Sequence, residues 1–291
     1  MHITFRLVLP GRDRSIRLPS ANLHLFQSML YALLPPDEAS FLHDDGYEAG
    51  GKKLKLFAMS WPAAASMPSF EGEGRKKKLI LPAPVRLTIS TPMHNLAMSF
   101  IEGALSKGEL RVGNNPLFCG RVEVERPNAG CDTMVVNTLS PITCYETVRL
   151  RGHSYTIFFK PDEREFQRSV HDNLLHKFRA LFPDREAPEG EFHITPLGNV
   201  KERVSFFDPR SGFPIKGWWG RFRLHGPKEL LQIALDCGLG AKNSAGWGCV
   251  AREEPENFER PMMTEDTERR QKQNEDNSDN LRDKHTDERC E

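Results

Sequence analysis

One order of periodicities, met twice, leaves few folds open. Ile3 to Leu9 alternates apolar and polar residues, the pattern of a half-buried strand. Ser20 then stands as an N-cap before Leu23, Phe26, Leu30, Leu33 and Leu34, which have helical spacing, and Pro35-Pro36 stops the run. Asp37 to Gly51 reads as a loop or short helical turn. Leu54 to Ser60 and Arg86 to Ser90 read as strands. Thr91-Pro92 opens a helix over 93–106, and Pro116 to Glu125 closes the unit as a strand. The sum is β-α-β-β-α-β.

Arg126-Pro127-Asn128-Ala129-Gly130 has linker composition, and the order then resumes. Met134 to Glu146 and His153 to Lys160 are strand-like. Pro161-Asp162 opens a long helix over 162–182 with an apolar face from Phe166 to Phe182. Phe192 to Leu197 and Val200 to Phe207 flank Gly198-Asn199, which predicts a hairpin turn. Gly217 to Leu224 is a strand, Pro227 to Asp236 a short helix, and Gly246 to Val250 the last strand. This is the same order with one extra strand near its start. The expected fold is therefore α+β: two tandem ferredoxin-like domains, 1–127 and 128–252, akin to RNA-recognition sheets. The 291 residues suit two domains at roughly 150 residues each.

The formal net charge of zero conceals an asymmetry. Residues 253–291 hold 14 acidic and 7 basic residues; the whole chain has 40 of each, leaving 26 acidic and 33 basic in 1–252. A body at +7 suits an anionic partner. The tail at −7 has almost no apolar residues and is expected to be disordered. No run of about 18 apolar residues exists, so no membrane span is expected. The start, Met1-His2-Ile3-Thr4-Phe5-Arg6, lacks a charged-then-apolar leader, which makes cytoplasmic residence the default. The six cysteines form no C-x-x-C pair and match no zinc spacing, so no metal or other cofactor is expected, and the thiols read as reduced.

Three stretches point further. They are Tyr31 followed by Pro36 to Tyr47 with Phe41-Leu42-His43-Asp44 inside; Lys55-Leu56-Phe57-Ala58-Met59-Ser60; and the glycine loop Gly238-x-Gly240-x5-Gly246-x-Gly248. In order and spacing they resemble the CRISPR-associated endoribonucleases that process precursor CRISPR RNA, members of the repeat-associated RAMP superfamily. The resemblance covers nearly all of 1–252. It implies cleavage within repeats by the ribose 2′-OH without a metal ion, leaving a 2′,3′-cyclic phosphate and a 5′-OH. The glycine loop is neither G-x-G-x-x-G nor a Walker A loop.

His43 is the candidate proton carrier, because imidazole titrates near neutrality. The resemblance adds Tyr31 as a helper phenol, with Tyr47 the alternative, and a lysine after Gly50-Gly51, either Lys52 or Lys53, as the cation near the phosphorane. The run Arg75-Lys76-Lys77-Lys78 is a candidate phosphate contact. In the glycine loop, Gly238, Gly240, Lys242 and Asn243 are candidate RNA contacts, the glycines because they allow close backbone approach to a phosphate. Expected partners are precursor CRISPR RNA repeats, subunits of a CRISPR effector complex, and a second copy of the chain. The competing reading is a catalytically silent RNA-binding subunit of such a complex.

Overall fold

Ile3, Phe5 and Leu7 are fully buried while Arg6 between them is exposed, so the first strand has one core face and one open face. A computed structural model describes residues 1–11, 14–73, 77–207 and 213–253. The tail from 254 onward, Arg75 and Lys76 lie outside the described residues. The first half runs β1 (His2–Val8), β2 (Ser15–Pro19), α1 (Leu23–Leu33), α2 (Pro36–Ser40), a π-helical turn (Phe41–Asp45), β3 (Tyr47–Ala49), β4 (Lys52–Leu54), β5 (Ala58–Met59), β6 (Ala63–Ala64), β7 (Ser69–Glu71), β8 (Lys78–Pro82), β9 (Val85–Ser90), α3 (His94–Ser106), β10 (Leu110–Val112) and β11 (Asn115–Glu125). The second half runs β12 (Thr133–Thr138), β13 (Tyr145–Leu150), β14 (His153–Phe158), α4 (Arg164–Leu181), β15 (His193–Ser205), β16 (Ile215–His225), α5 (Lys228–Cys237), a 3₁₀ turn (Asn243–Ala245) and β17 (Val250–Arg252).

The first sheet has the order β10-β11-β1-β9-β5, antiparallel throughout. Helices α1 and α3 supply Phe26, Leu30 and Phe100 to the core beneath β1. The two helices touch at Gly103, where a Cβ would collide with the Leu33 carbonyl. The second sheet has the order β15-β16-β12-β17, and α4 and α5 bury Phe166, Leu174, Phe178 and Leu231 against Val136 and Phe222. Each half is a βαββαβ unit with its helices on one face, so the fold is two tandem ferredoxin-like units. Polar contacts tie the halves together: His2 Nε2 meets the Leu235 carbonyl at 2.8 Å, and Trp61 Nε1 donates to the Gly246 carbonyl at 2.8 Å. No helix among the described residues is long and apolar enough to cross a membrane.

Four local expectations are corrected. Gly198-Asn199 is not a hairpin turn: β15 is one strand, and both its ends pair with the 11-residue β16, with a register shift between Leu197 and Lys201. The extra residues bulge over Gly220, where a Cβ would stand 2.9 Å from Val200 Cγ2. Leu54 to Ser60 is not one strand, because Leu56 has φ 51° and turns the chain between β4 and β5. The stretch 134–146 divides into β12 and β13. The last strand begins at Val250, since positions 246–248 carry two positive-φ glycines that no ladder accepts. The pairing of β2 with β8, some sixty residues later, leaves no periodic trace in the sequence.

Candidate active site

Pro36 at the start of α2 and Asp37 and Glu38 in its first turn suit a helix N-terminus. The helix widens into the π-helical turn Phe41–Asp45, and Gly46 (φ 69°) closes it, its N–H donating to the Phe41 carbonyl at 2.7 Å. Leu42 is 1% exposed and anchors the turn in the core. His43, next to this anchor, projects into solvent. Its Nδ1 is 2.7 Å from Asp44 Oδ1. That hydrogen bond, aided by Lys55 and Lys53, holds the Asp44 carboxyl below its usual range. With Nδ1–H donated to Asp44, Nε2 keeps a lone pair for chemistry.

Tyr31, near the end of α1, meets the His43 ring edge-on, with centroids 6.2 Å apart. Its other neighbour is Phe57 at 6.3 Å. Partial burial pushes its phenol up to about 12, so it is a hydrogen-bond donor at neutral pH. Tyr47 packs edge-on against Phe41 instead, at 5.3 Å.

Three lysines surround the same turn. Lys53 Nζ donates to the Asp44 carbonyl at 3.0 Å and stands 3.7 Å from Asp45. Lys55 Nζ donates to the carbonyl of His43 itself at 2.7 Å. Desolvation lowers the Lys55 pKa, opposed by Asp44 and Asp45. Lys52 lies across from Ala49 in the β3–β4 ladder and is exposed. The arrangement thus brings Tyr31, His43, Lys53 and Lys55 to one turn, with Lys52 farther along the rim. Lys55 was not among the lysines expected at this turn. Its signal was present: it opens Lys55-Leu56-Phe57, whose Leu56 and Phe57 are 3% and 1% exposed and fix the lysine's base.

The glycine loop follows α5. Leu239 N–H donates to the Gly248 carbonyl at 2.8 Å, Gly248 N–H to the Pro141 carbonyl at 2.8 Å, and Ala241 N–H to the Thr143 carbonyl at 2.9 Å. Gly238 and Gly240 both have positive φ, and a Cβ on Gly238 would reach 2.6 Å from the Gly248 carbonyl oxygen, so these positions are required by the loop's own closure. Asn243 borders the neighbouring cleft. Its buried amide donates to the Leu239 and Trp247 carbonyls at 3.0 and 2.9 Å, bracing the loop from within. Lys177, 3% exposed, donates to the Cys237 and Gly238 carbonyls at 3.1 and 2.7 Å, and burial lowers its pKa to about 8. It caps the C-terminus of α5 where the loop begins.

Between the turn and the loop lies a cleft of about 610 Å³. Among the described residues, its charged lining comes from Lys52, Lys53, Lys55, Lys177 and Lys242, with no Asp or Glu. Lys77 and Lys78 do not join it. They border a separate depression with Arg17 and Asn115, and Lys77 Nζ sits 4.5 Å over the Phe70 ring. On the open face of the first sheet, Arg86, Arg6 and Arg121 stand directly opposite one another on three adjacent strands. Among the described residues, no group of three or more His, Cys, Asp or Glu is placed to hold a metal ion. Cys144, Cys237 and Cys249 are buried free thiols, Cys119 is partly buried and Cys131 exposed.

Comparison with known proteins adds five findings. Residues 125–252 match the family model described as CRISPR associated protein Cas6, C-terminal. The chain is 27% identical over 258 residues to the CRISPR-associated endoribonuclease Cas6 of Pyrococcus furiosus, covering 86% of this chain and 89% of that one. It is 25% identical over 173 residues to the CRISPR-associated endoribonuclease Cas6 1 of Methanocaldococcus jannaschii, covering 59% of this chain and 65% of the other. Among solved structures, a Cas6-related protein from Pyrococcus furiosus superposes with a TM-score of 0.69 at 17% identity, covering 87% of this chain and 98% of that chain. A RAMP protein described as binding different RNA substrates gives 0.71 at 20% identity, covering 87% and 100%. At these identities the structural likeness speaks for the fold.

Proposed function

We propose, starting from a Cas6-type chain of the RAMP superfamily whose residues 125–252 are the family's C-terminal domain, that this protein is an endoribonuclease that cuts precursor CRISPR RNA within its repeats. The observation that carries the reading is the convergence of Tyr31, His43 and Lys55 beside a cleft whose charged lining is entirely cationic. A cationic cleft attracts a phosphodiester chain and concentrates it. The opposed Arg86, Arg6 and Arg121 add positive charge to the open sheet, although Arg121 is already paired with Glu123 at 3.1 Å.

The chemistry follows from what each group offers. His43 Nε2 accepts the proton of a ribose 2′-OH while Asp44 holds the ring through Nδ1. The 2′-oxygen bonds to phosphorus, the bond from phosphorus to the 5′-oxygen breaks, and the products are a 2′,3′-cyclic phosphate and a 5′-OH. Lys55 balances the negative charge of the phosphorane and supplies the proton to the leaving oxygen; partial desolvation makes it a better acid than a free lysine. The Tyr31 phenol stays protonated and donates to a non-bridging oxygen. Side chains alone furnish base, acid and cation, so the reaction runs without a metal ion. Lys242 contacts the RNA from the glycine loop. Replacing His43 with Ala tests the reading: RNA cleavage should fall by at least about 10²-fold while binding stays within a few-fold. Undiminished cleavage would remove His43 from the mechanism.

A further inference from the structure

A second groove, about 820 Å³, opens on the far side of Tyr145 and Lys242. Tyr145, Lys242 and Ala245 line both it and the cleft, so the two are neighbours across one shared wall. Its other walls are Phe158 and Thr147 on the β13–β14 hairpin, Phe213 and Lys216. Phe213 is 78% exposed and presents an open aromatic face. Among the described residues, no carboxylate lines the groove. The volume lies in the upper range of ligand pockets, more than one base requires.

Lys242 supplies an independent observation. The loop places glycine at 238, 240, 246 and 248, each with positive φ, yet position 242 holds a lysine at φ 60°. A non-glycine residue there carries backbone strain, and such strain persists where the side chain is used. The Lys242 ammonium lies 5.4 Å from the centre of the Tyr145 ring, at the boundary of cleft and groove.

We propose that this groove is a track for unpaired RNA adjoining the scissile phosphate, with bases stacking on Phe213 and Tyr145 and phosphates passing Lys242 and Lys216. The proposal rests on the endoribonuclease reading and adds to it that the segment beside the cut is single-stranded. Aromatic faces with lysines between them suit single strands, because stacking tolerates any base, and the paired bases of a duplex have no free faces to offer.

The test uses the full-length protein and two probes, a fluorescein-labelled 12-nucleotide oligo(A) and a blunt 12-base-pair RNA duplex. Phe213→Ala should weaken oligo(A) binding about tenfold and leave duplex binding within twofold, and Phe213→Trp should restore it. A loss under twofold for oligo(A), or an equal loss for the duplex, overturns the proposal, as it would if the groove received a peptide instead. Cleavage of repeat RNA by the wild-type protein is measured alongside. If the wild type cleaves while Phe213→Ala binds oligo(A) normally, only the groove assignment fails; if the wild type neither cleaves nor binds RNA, the endoribonuclease reading fails and the groove assignment with it.

Discussion

Gly248→Ala should disable the glycine loop far more than its single methyl suggests. Two terms set the cost. A left-handed residue other than glycine costs about 1–2 kcal/mol, and Gly248 has φ 71°. The added Cβ would also lie 1.8 Å from the Leu239 carbonyl oxygen, against an ordinary carbon–oxygen contact of ~3.3 Å. The strands of the loop must part, and the 2.8 Å hydrogen bonds from Leu239 N–H to Gly248 and from Gly248 N–H to Pro141 are the ones in the way. Each is worth about 1 kcal/mol and more if its groups stay buried and unpaired. The total is about 3–6 kcal/mol. Gly51→Ala is the control: its φ is 73°, but nothing lies within 4 Å of its Cβ position, so only the strain of about 1–2 kcal/mol applies. Urea unfolding of the full chain, followed by tryptophan fluorescence, compares the two. Equal destabilisation would refute the steric account of the loop.

Lys55→Ala should lower the cleavage rate by about 10²-fold or more with RNA affinity nearly unchanged, while Lys52→Ala should cost only a few-fold; single-turnover kinetics and filter binding separate these effects. Asn243→Ala should destabilise the fold by about 2–3 kcal/mol in the same urea assay, because it strips two hydrogen bonds from buried carbonyls. Stability should also fall steeply with alkali. Burial pushes the Cys144, Cys237 and Cys249 thiols up to about 12, whereas unfolded thiols ionise near about 8.5, so deprotonation favours the unfolded chain from pH ~9 upward. Lys177 acts in the opposite sense, since its folded pKa of about 8 lies below the unfolded value, and it offsets one thiol up to pH ~10.4. The net slope is about 2–3 kcal/mol per pH unit between 9 and 10, and flat unfolding midpoints over that range would contradict it.

The long helices and central strands are legible because their information is local. Phe166, Val170, Leu174 and Phe178 in α4, and Ile3, Phe5 and Leu7 in β1, announce both element and buried face. His43 was legible as a motif. Lys55 was overlooked because its motif reads as an unbroken strand, and only the kink at Leu56 turns its ammonium back to the His43 carbonyl. The inward bonds of Asn243 were hidden for a related reason. A polar amide in a glycine loop suggests an outside partner, but its acceptors, at 239 and 247, are brought to it by a closure that spacing does not reveal. Gly198-Asn199 carried a sound local turn signal, which the 11-residue strand β16 overrode by pairing with both flanks.

Tyr31, His43 and Lys55 are proposed to use the ribose 2′-OH to cut RNA without a metal ion. The direct measurement is incubation of end-labelled repeat RNA with the protein in EDTA, beside an identical RNA carrying a single 2′-deoxy nucleotide before the cut. The first RNA should be cleaved and the second left intact, with a cyclic phosphate on the upstream product. Cleavage that needs added metal, or that proceeds through the 2′-deoxy position, would contradict it.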